Sequence, residues 1–205
     1  MARKGTYAKG VAKREEILDT ALDVIARTGY SSATVKELAT AVGLTQMGLL
    51  YYFGTKEALF AEIVRRRDER DSAEFDHGGL PAAGGPQDLG AELAKLVKHN
   101  ADVPGLVQLY NSLTAEAATP RHESHEYFTQ RYQQVAVRMS VVLEQMQKDG
   151  SLRADIDPRM IIAMSSALID GLQTQWLFDP TLDMARHVEF FWETIDLAYG
   201  TRRDQ

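Results

Sequence analysis

The sequence predicts an all-α protein, with an N-terminal three-helix head that holds a helix-turn-helix and a longer all-helical body. Three observations carry that reading. Apolar residues recur at helical spacing throughout, and no segment alternates with the period of two that a strand requires. Helix boundaries are written repeatedly as a Thr or Asp before an apolar stripe and a Gly after it. The 205 residues are enough to bury a sizeable core, and with no cysteine that core has no disulfide or thiolate metal site to support it.

Residues 1–12 carry Arg3, Lys4 and Lys9 among Gly and Ala, with little to bury, which predicts a mobile basic arm able to reach phosphates or a minor groove. From Lys13 to Thr28 the stripe Ile17, Leu18, Ala21, Leu22 and Ile25 predicts the first helix, ended by Gly29. The stretch 34–56, TVKELATAVGLTQMGLLYYFGTK, then predicts two short helices joined by a tight turn. Thr34 with Glu37 has the spacing of a capping box, Gly43 supplies the residue that leaves the helix at positive φ, and Thr45 restarts it. Leu22, Leu38, Leu49 and Phe53 are its predicted shared core. The second of these helices is spaced to enter a DNA major groove. The head is drawn as residues 1–54 and the body as 55–205.

Thr55 caps a bridge helix with Leu59, Phe60, Ile63 and Val64 on one face, and the run RRRDERD at 65–71 predicts a solvated face with pairs such as Arg65–Glu69 and Arg67–Asp71. Residues 76–88, DHGGLPAAGGPQD, are read as a surface loop without either glycine-rich phosphate-binding pattern. A helix with Leu89, Leu93, Leu96 and Val97 ends near Asn100, and Pro104 opens the next, with Leu106, Leu109, Tyr110 and Leu113. A long helix is predicted from about His122 to Lys148, ended by Gly150. Asp157 and Pro158 start another that reaches Phe178, and Asp179, Pro180 and Thr181 start the last, which ends at Gly200.

Those last two helices are apolar on more than one face, through residues such as Met164, Leu168, Trp176, Phe190, Phe191 and Leu197. A helix near a chain end with that pattern needs a second covering surface, so a homodimer through an intermolecular four-helix bundle is expected. Net charge is −6, yet residues 1–57 hold 8 Lys and Arg against 6 Asp and Glu, while the remainder holds 15 against 23. A mildly basic head on an acidic body suits a protein that touches nucleic acid at one end. No run of about 18 apolar residues occurs, so a soluble cytoplasmic protein without a membrane partner is expected.

The stretch 34–56 resembles the head of the TetR family of bacterial transcriptional regulators. Thr34, Leu38, Ala39, Gly43, Leu44, Thr45, Leu49, Leu50, Phe53, Thr55 and Lys56 match its pattern in register. The body, through GSLRADIDP and DGLQTQWLFDP, is similar to a subgroup related to choline-responsive regulators. The resemblance implies a non-enzymatic, ligand-responsive repressor with no cofactor, released from a palindromic operator by a small-molecule effector. Many members have Tyr where Leu50 stands and His where Tyr52 stands, which implies one phosphate contact absent and another altered.

For the DNA site, Thr34, Thr45 and Lys56 sit at helix N-termini, where amides and charge favour phosphate. Gln46 can pair with adenine, Met47 and Gly48 can approach a thymine methyl, and Tyr51 and Tyr52 can reach bases or phosphates. Mid-helix Gly48 costs about 1 kcal/mol against Ala, which points to close backbone approach or a helix that firms up on DNA. For the effector, Tyr110, Thr114, Tyr127, Arg131, Asp170, Gln173 and Trp176 are polar or aromatic residues on otherwise apolar helices, the mix that ligand pockets use. The competing reading is an all-helical metal-dependent enzyme using His122 and His125, which a continuous helix would carry on one face.

Overall fold

Threonine caps start three successive helices of the N-terminal region. The computed structural model describes residues 2–75 and 84–201, with side chains for 9–71 and 84–201. Among the described residues the elements are α1 (Ala2–Thr28), α2 (Val35–Ala41), α3 (Gln46–Phe53), α4 (Lys56–Phe75), α5 (Pro86–Ala101), α6 (Pro104–Ala117), α7 (His125–Lys148), α8 (Pro158–Phe178) and α9 (Met184–Tyr199), with a single 3-10 turn at Tyr30–Ser32. The architecture is all-α. The only extended pairing among these residues is an isolated antiparallel bridge between Leu152 and Gly200.

Contacts divide the chain into two units. The first takes residues 1–70 and 103–126, the second residues 71–102 and 127–205. In the first, Ile17, Leu22, Ile25, Leu38, Leu49 and Phe53 are buried together as the head's core. The α4 helix is held to α1 by charge: Arg66 Nε donates to Asp19 Oδ1 at 2.7 Å and its Nη2 to Oδ2 at 3.1 Å, Arg70 lies 3.0 Å from Asp19, and Arg14 lies 2.8 Å from Glu62. The first turn of α6 docks against the C-terminal end of α1. A Cβ at Gly105 would fall 2.3 Å from the Ile25 carbonyl oxygen and 2.9 Å from the Gly29 Cα, so only glycine permits that approach. Arg67, 7% exposed, donates to the Leu106 carbonyl at 3.1 Å and ties α4 to the same end of α6.

In the second unit, α5 and α9 pack so closely that a Cβ at Gly90 would sit 2.4 Å from the Trp192 Cβ. Trp192, Leu89, Leu143 and Ile161 are fully buried there. Gln87 donates to Asp196 at 2.9 Å, and the Arg153 amide donates to the Tyr199 carbonyl at 2.8 Å.

Several boundaries differ from the sequence expectation. Helix α1 begins at Ala2, where a mobile arm was expected for 1–12, because Ala, Lys and Arg are strong helix formers and two glycines cost only about 1 kcal/mol each; the side chains of residues 1–8 lie outside the described residues. Of the expected loop 76–88, residues 76–83 lie outside the described residues, while 86–88 belong to α5. Pro86 fits the first turn, and the Gly85 amide donates to the Asp88 carboxylate at 2.8 Å. Helix α7 begins at His125, after turns over 118–124. The Asp179 carboxylate accepts from the Thr181 amide at 3.0 Å and hydroxyl at 2.6 Å, which closes a turn instead of starting a helix. Asp183 is the cap of α9, accepting from the Arg186 amide at 3.0 Å. The basic run of α4 is not a uniformly solvated face, since Arg66 is spent on Asp19 and Arg67 is buried.

Candidate nucleic-acid interface

The helix-turn-helix is built by side-chain caps. Thr34 Oγ1 accepts from the Glu37 amide at 3.2 Å, and the Glu37 carboxylate accepts from the Thr34 amide at 2.9 Å and from its hydroxyl at 3.0 Å, a complete capping box. These bonds hold the Glu37 carboxyl below its usual range, the Thr34 amide contributing most. Gly43 turns the chain at φ +69°. Thr45 then accepts from the Gly48 amide at 3.0 Å, and Thr55 from the Ala58 amide at 3.0 Å while its own hydroxyl donates to Glu123.

The capping bonds separate two termini that look alike in sequence. At α2 the hydroxyl and amide of Thr34 are both spent on Glu37, whose charge occupies the place a phosphate would take. At α3 no acid lies in the first turn, and the Thr45 hydroxyl keeps its proton for an acceptor. Gly48 has its reason here too: a Cβ would meet Thr45 Oγ1 at 3.2 Å and crowd the cap, and α3 is already a regular helix.

Leu49 and Phe53 face the core, whereas Gln46 is exposed, Met47 is 83% exposed and Tyr51 is 86% exposed. Tyr52 is half-buried, and its ring meets that of Tyr51 edge-on with centroids 5.9 Å apart. Lys56 is exposed at the start of α4, its ammonium 5.7 Å from the Phe60 ring centroid. Thr34, Thr45, Gln46, Met47, Gly48, Tyr51, Tyr52 and Lys56 thus all belong to one small unit. Sequence reasoning did not single out Lys36 and Thr40, which are exposed on α2.

The effector candidates are not gathered in the same way. Tyr110 and Thr114 lie on α6 in the first unit, and the Thr114 hydroxyl is spent on the Tyr110 carbonyl at 2.8 Å. Tyr127, Arg131, Asp170, Gln173 and Trp176 lie in the second. Tyr110, Gln173 and Trp176 are buried in packing, and Tyr127 stacks edge-on against Phe128. Only Asp170 among the seven lines the cavity of about 430 Å³ that runs between α7 and α8, and it accepts from the Tyr132 hydroxyl at 2.6 Å. Ala136, Ala163, Ser166, Ala167, Ile162 and Arg159 complete the lining. Sequence reasoning did not single out Tyr132, since nothing local signals a partner 38 residues away.

The metal reading fails on position. His122 stands in a turn and not on α7; its Nδ1 accepts from the Ser124 amide at 3.2 Å, and His125 Nδ1 is 2.8 Å from the Ala117 carbonyl. Among the described residues no group of three or more His, Cys, Asp or Glu side chains could hold a metal ion, and no helix is long and apolar enough to cross a membrane.

Residues 17–63 match the family profile "Bacterial regulatory proteins, tetR family", and residues 88–197, more than half of the chain, match "BetI-type transcriptional repressor, C-terminal". The chain belongs to the TetR family. An HTH-type transcriptional repressor of Mycobacterium tuberculosis is 38% identical over 69 residues, a match spanning 34% of this chain and 37% of that protein's length. A transcriptional regulator of Rhodococcus sp. Rha1 shares the TetR fold at TM-score 0.71 and 17% identity, covering 92% of this chain and 98% of that one. A transcriptional regulator of Saccharomonospora viridis, solved in complex with choline, shares it at TM-score 0.59 and 24% identity over 93% and 98% of the two chains.

Proposed function

We propose that this TetR-family chain is a ligand-responsive, DNA-binding transcriptional repressor, with residues 1–54 as reading head and 55–205 as effector-binding and dimerising body. The observation that carries the reading is α3: Gln46, Met47 and Tyr51 stand outward from a helix whose Leu49 and Phe53 anchor it, between the Thr45 cap and Lys56. Thr45 and Lys56 would hold phosphates and set register, Gln46, Met47, Gly48 and Tyr51 would read bases, and Tyr52 would support Tyr51. Thr34 would act mainly by starting α2.

Two heads are needed for a palindrome, with half-site centres about 34–36 Å apart or a multiple of that. The exposed Met160, Met164 and Phe178 of α8 and Phe190 and Leu197 of α9 support pairing of two copies through these helices. For the effector, the Tyr132–Asp170 pair on the α7–α8 cavity combines an aromatic ring with a carboxylate, the chemistry that holds an organic cation. The choline found in the Saccharomonospora viridis protein favours that class. Such an effector acts by binding one conformational state better than the other.

The test is operator recovery by selection from random duplexes, followed by titration in rising salt. Expected are a near-palindromic site, affinity that falls steeply with salt, and release by choline or a related quaternary ammonium that Asp170→Asn suppresses. Binding with no sequence preference at any salt would sink the regulator reading. Release by quaternary ammonium that Asp170→Asn leaves unchanged would sink the cavity assignment.

A further inference from the structure

The outward face of α3 is neutral. At about 100° per residue, Gln46, Met47, Leu50 and Tyr51 fall within about 140° of the helix surface, and none of them is Lys or Arg. Leu50 is half-buried, so the projecting groups are one carboxamide, one thioether and one phenol ring. In the major groove, guanine is read most often by Arg or Lys reaching O6 and N7, adenine by Gln or Asn reaching N6 and N7, and thymine by apolar contact with its C5 methyl.

Several described cations of the neighbouring helices are engaged elsewhere. The Arg14 guanidinium stacks 4.9 Å over Phe53 and pairs with Glu62, Lys13 lies 2.8 Å from Glu16, and Lys56 sits over Phe60 at the start of α4. Lys36 projects from α2, the helix that crosses the phosphate backbone in this motif.

We infer that α3 reads A·T pairs, Gln46 taking the adenine edge and Met47 with Tyr51 the thymine methyl groups, and leaves guanine edges unread. The inference rests on the DNA-binding reading above and names the base chemistry of that same site. Tyr52 is a positioning residue in it, since its half-buried ring sets the edge-on seat of Tyr51.

The experiment uses the full chain on the operator recovered by selection. Each thymine in turn is replaced by uracil, which removes only the methyl, each adenine by 7-deazaadenine and each guanine by 7-deazaguanine, which remove only N7. At the base pairs facing α3, uracil and 7-deazaadenine are expected to weaken binding about tenfold, the scale of one base contact, while 7-deazaguanine changes it less than about twofold. Met47→Ala or Tyr51→Ala is expected to abolish the penalty at its own uracil position, which a merely structural role would not do. A tenfold loss from 7-deazaguanine with uracil silent overturns the inference and leaves DNA binding standing. Failure to recover any preferred duplex overturns the DNA-binding reading itself.

Discussion

On α3 the exposed Met47 and Tyr51 stand beside a carboxamide and a capped helix terminus, whereas on α8 and α9 the exposed apolar groups stand in line with one another. At about 100° per residue, Met160, Met164 and Phe178 fall within about 40° on α8, and Phe190 and Leu197 within about 20° on α9. Small residues Ala167 and Gly171 lie on the same line of α8. Apolar groups mixed with hydrogen-bonding ones suit a DNA groove, which carries methyl groups among donors and acceptors. A line of large apolar groups on one helix face suits another apolar helix. Exposure alone therefore does not name a partner; the neighbours of the exposed group do.

The largest effect should come from charging the body's stripe. Phe190→Glu combined with Leu197→Glu is expected to weaken self-association by more than about 3 kcal/mol, because each copy would bury uncompensated carboxylates. Sedimentation should then report monomers with unchanged helicity. An unaltered dimer would remove α9 from the interface.

Next is Gly105→Ala, whose Cβ meets backbone and not a side chain that can swing away. Loss of about 2–3 kcal/mol in urea unfolding of the first unit is expected, with self-association retained. A neutral result would mean that α6 moves off α1 at little cost.

On the head, Gln46→Ala should cost about 1–3 kcal/mol at the operator and relax sequence preference, while Lys56→Ala should weaken all duplexes alike and lower the salt slope by about one. If the two variants behaved identically, the division between reading and positioning residues would fall.

The smallest effect concerns pH. The Asp19 carboxyl is held below its usual range chiefly by the hydrogen bonds from Arg66, against partial burial and with help from the Arg70 charge. A lowered folded-state pKa contributes stability that is present above the ordinary carboxylate pKa and is lost as pH falls through the lowered value. Asp19→Asn should therefore flatten the acid limb of the melting-temperature profile and leave a lower plateau at neutral pH. An acid limb as steep as before would assign it to other carboxylates.

Much of the head was legible because its signals are local. A threonine three residues before its partner amide, a glycine at positive φ and an apolar residue every third or fourth position are written within one turn of the helix they start or end. The same local grammar misled at Asp179, since an Asp followed by Pro and Thr closes a tight turn as readily as it caps a helix. Of the effector set, Gln173 and Trp176 are buried and Asp170 stands at the cavity beside Tyr132, a distinction the sequence does not make because a helix apolar on most sides does not declare which face is inward.

By itself, then, the sequence determined the all-α class, the helix-turn-helix, its capping threonines and the face that α3 turns outward, all consequences of hydrogen bonds and spacings within a few residues. Tertiary structure alone decided that Arg67 is buried on the Leu106 carbonyl, that Gly105 must be glycine because α1 backbone lies against it, and that Asp170 meets Tyr132. Those pairings join residues tens of positions apart, and a long-range contact exists only once packing has chosen the neighbours.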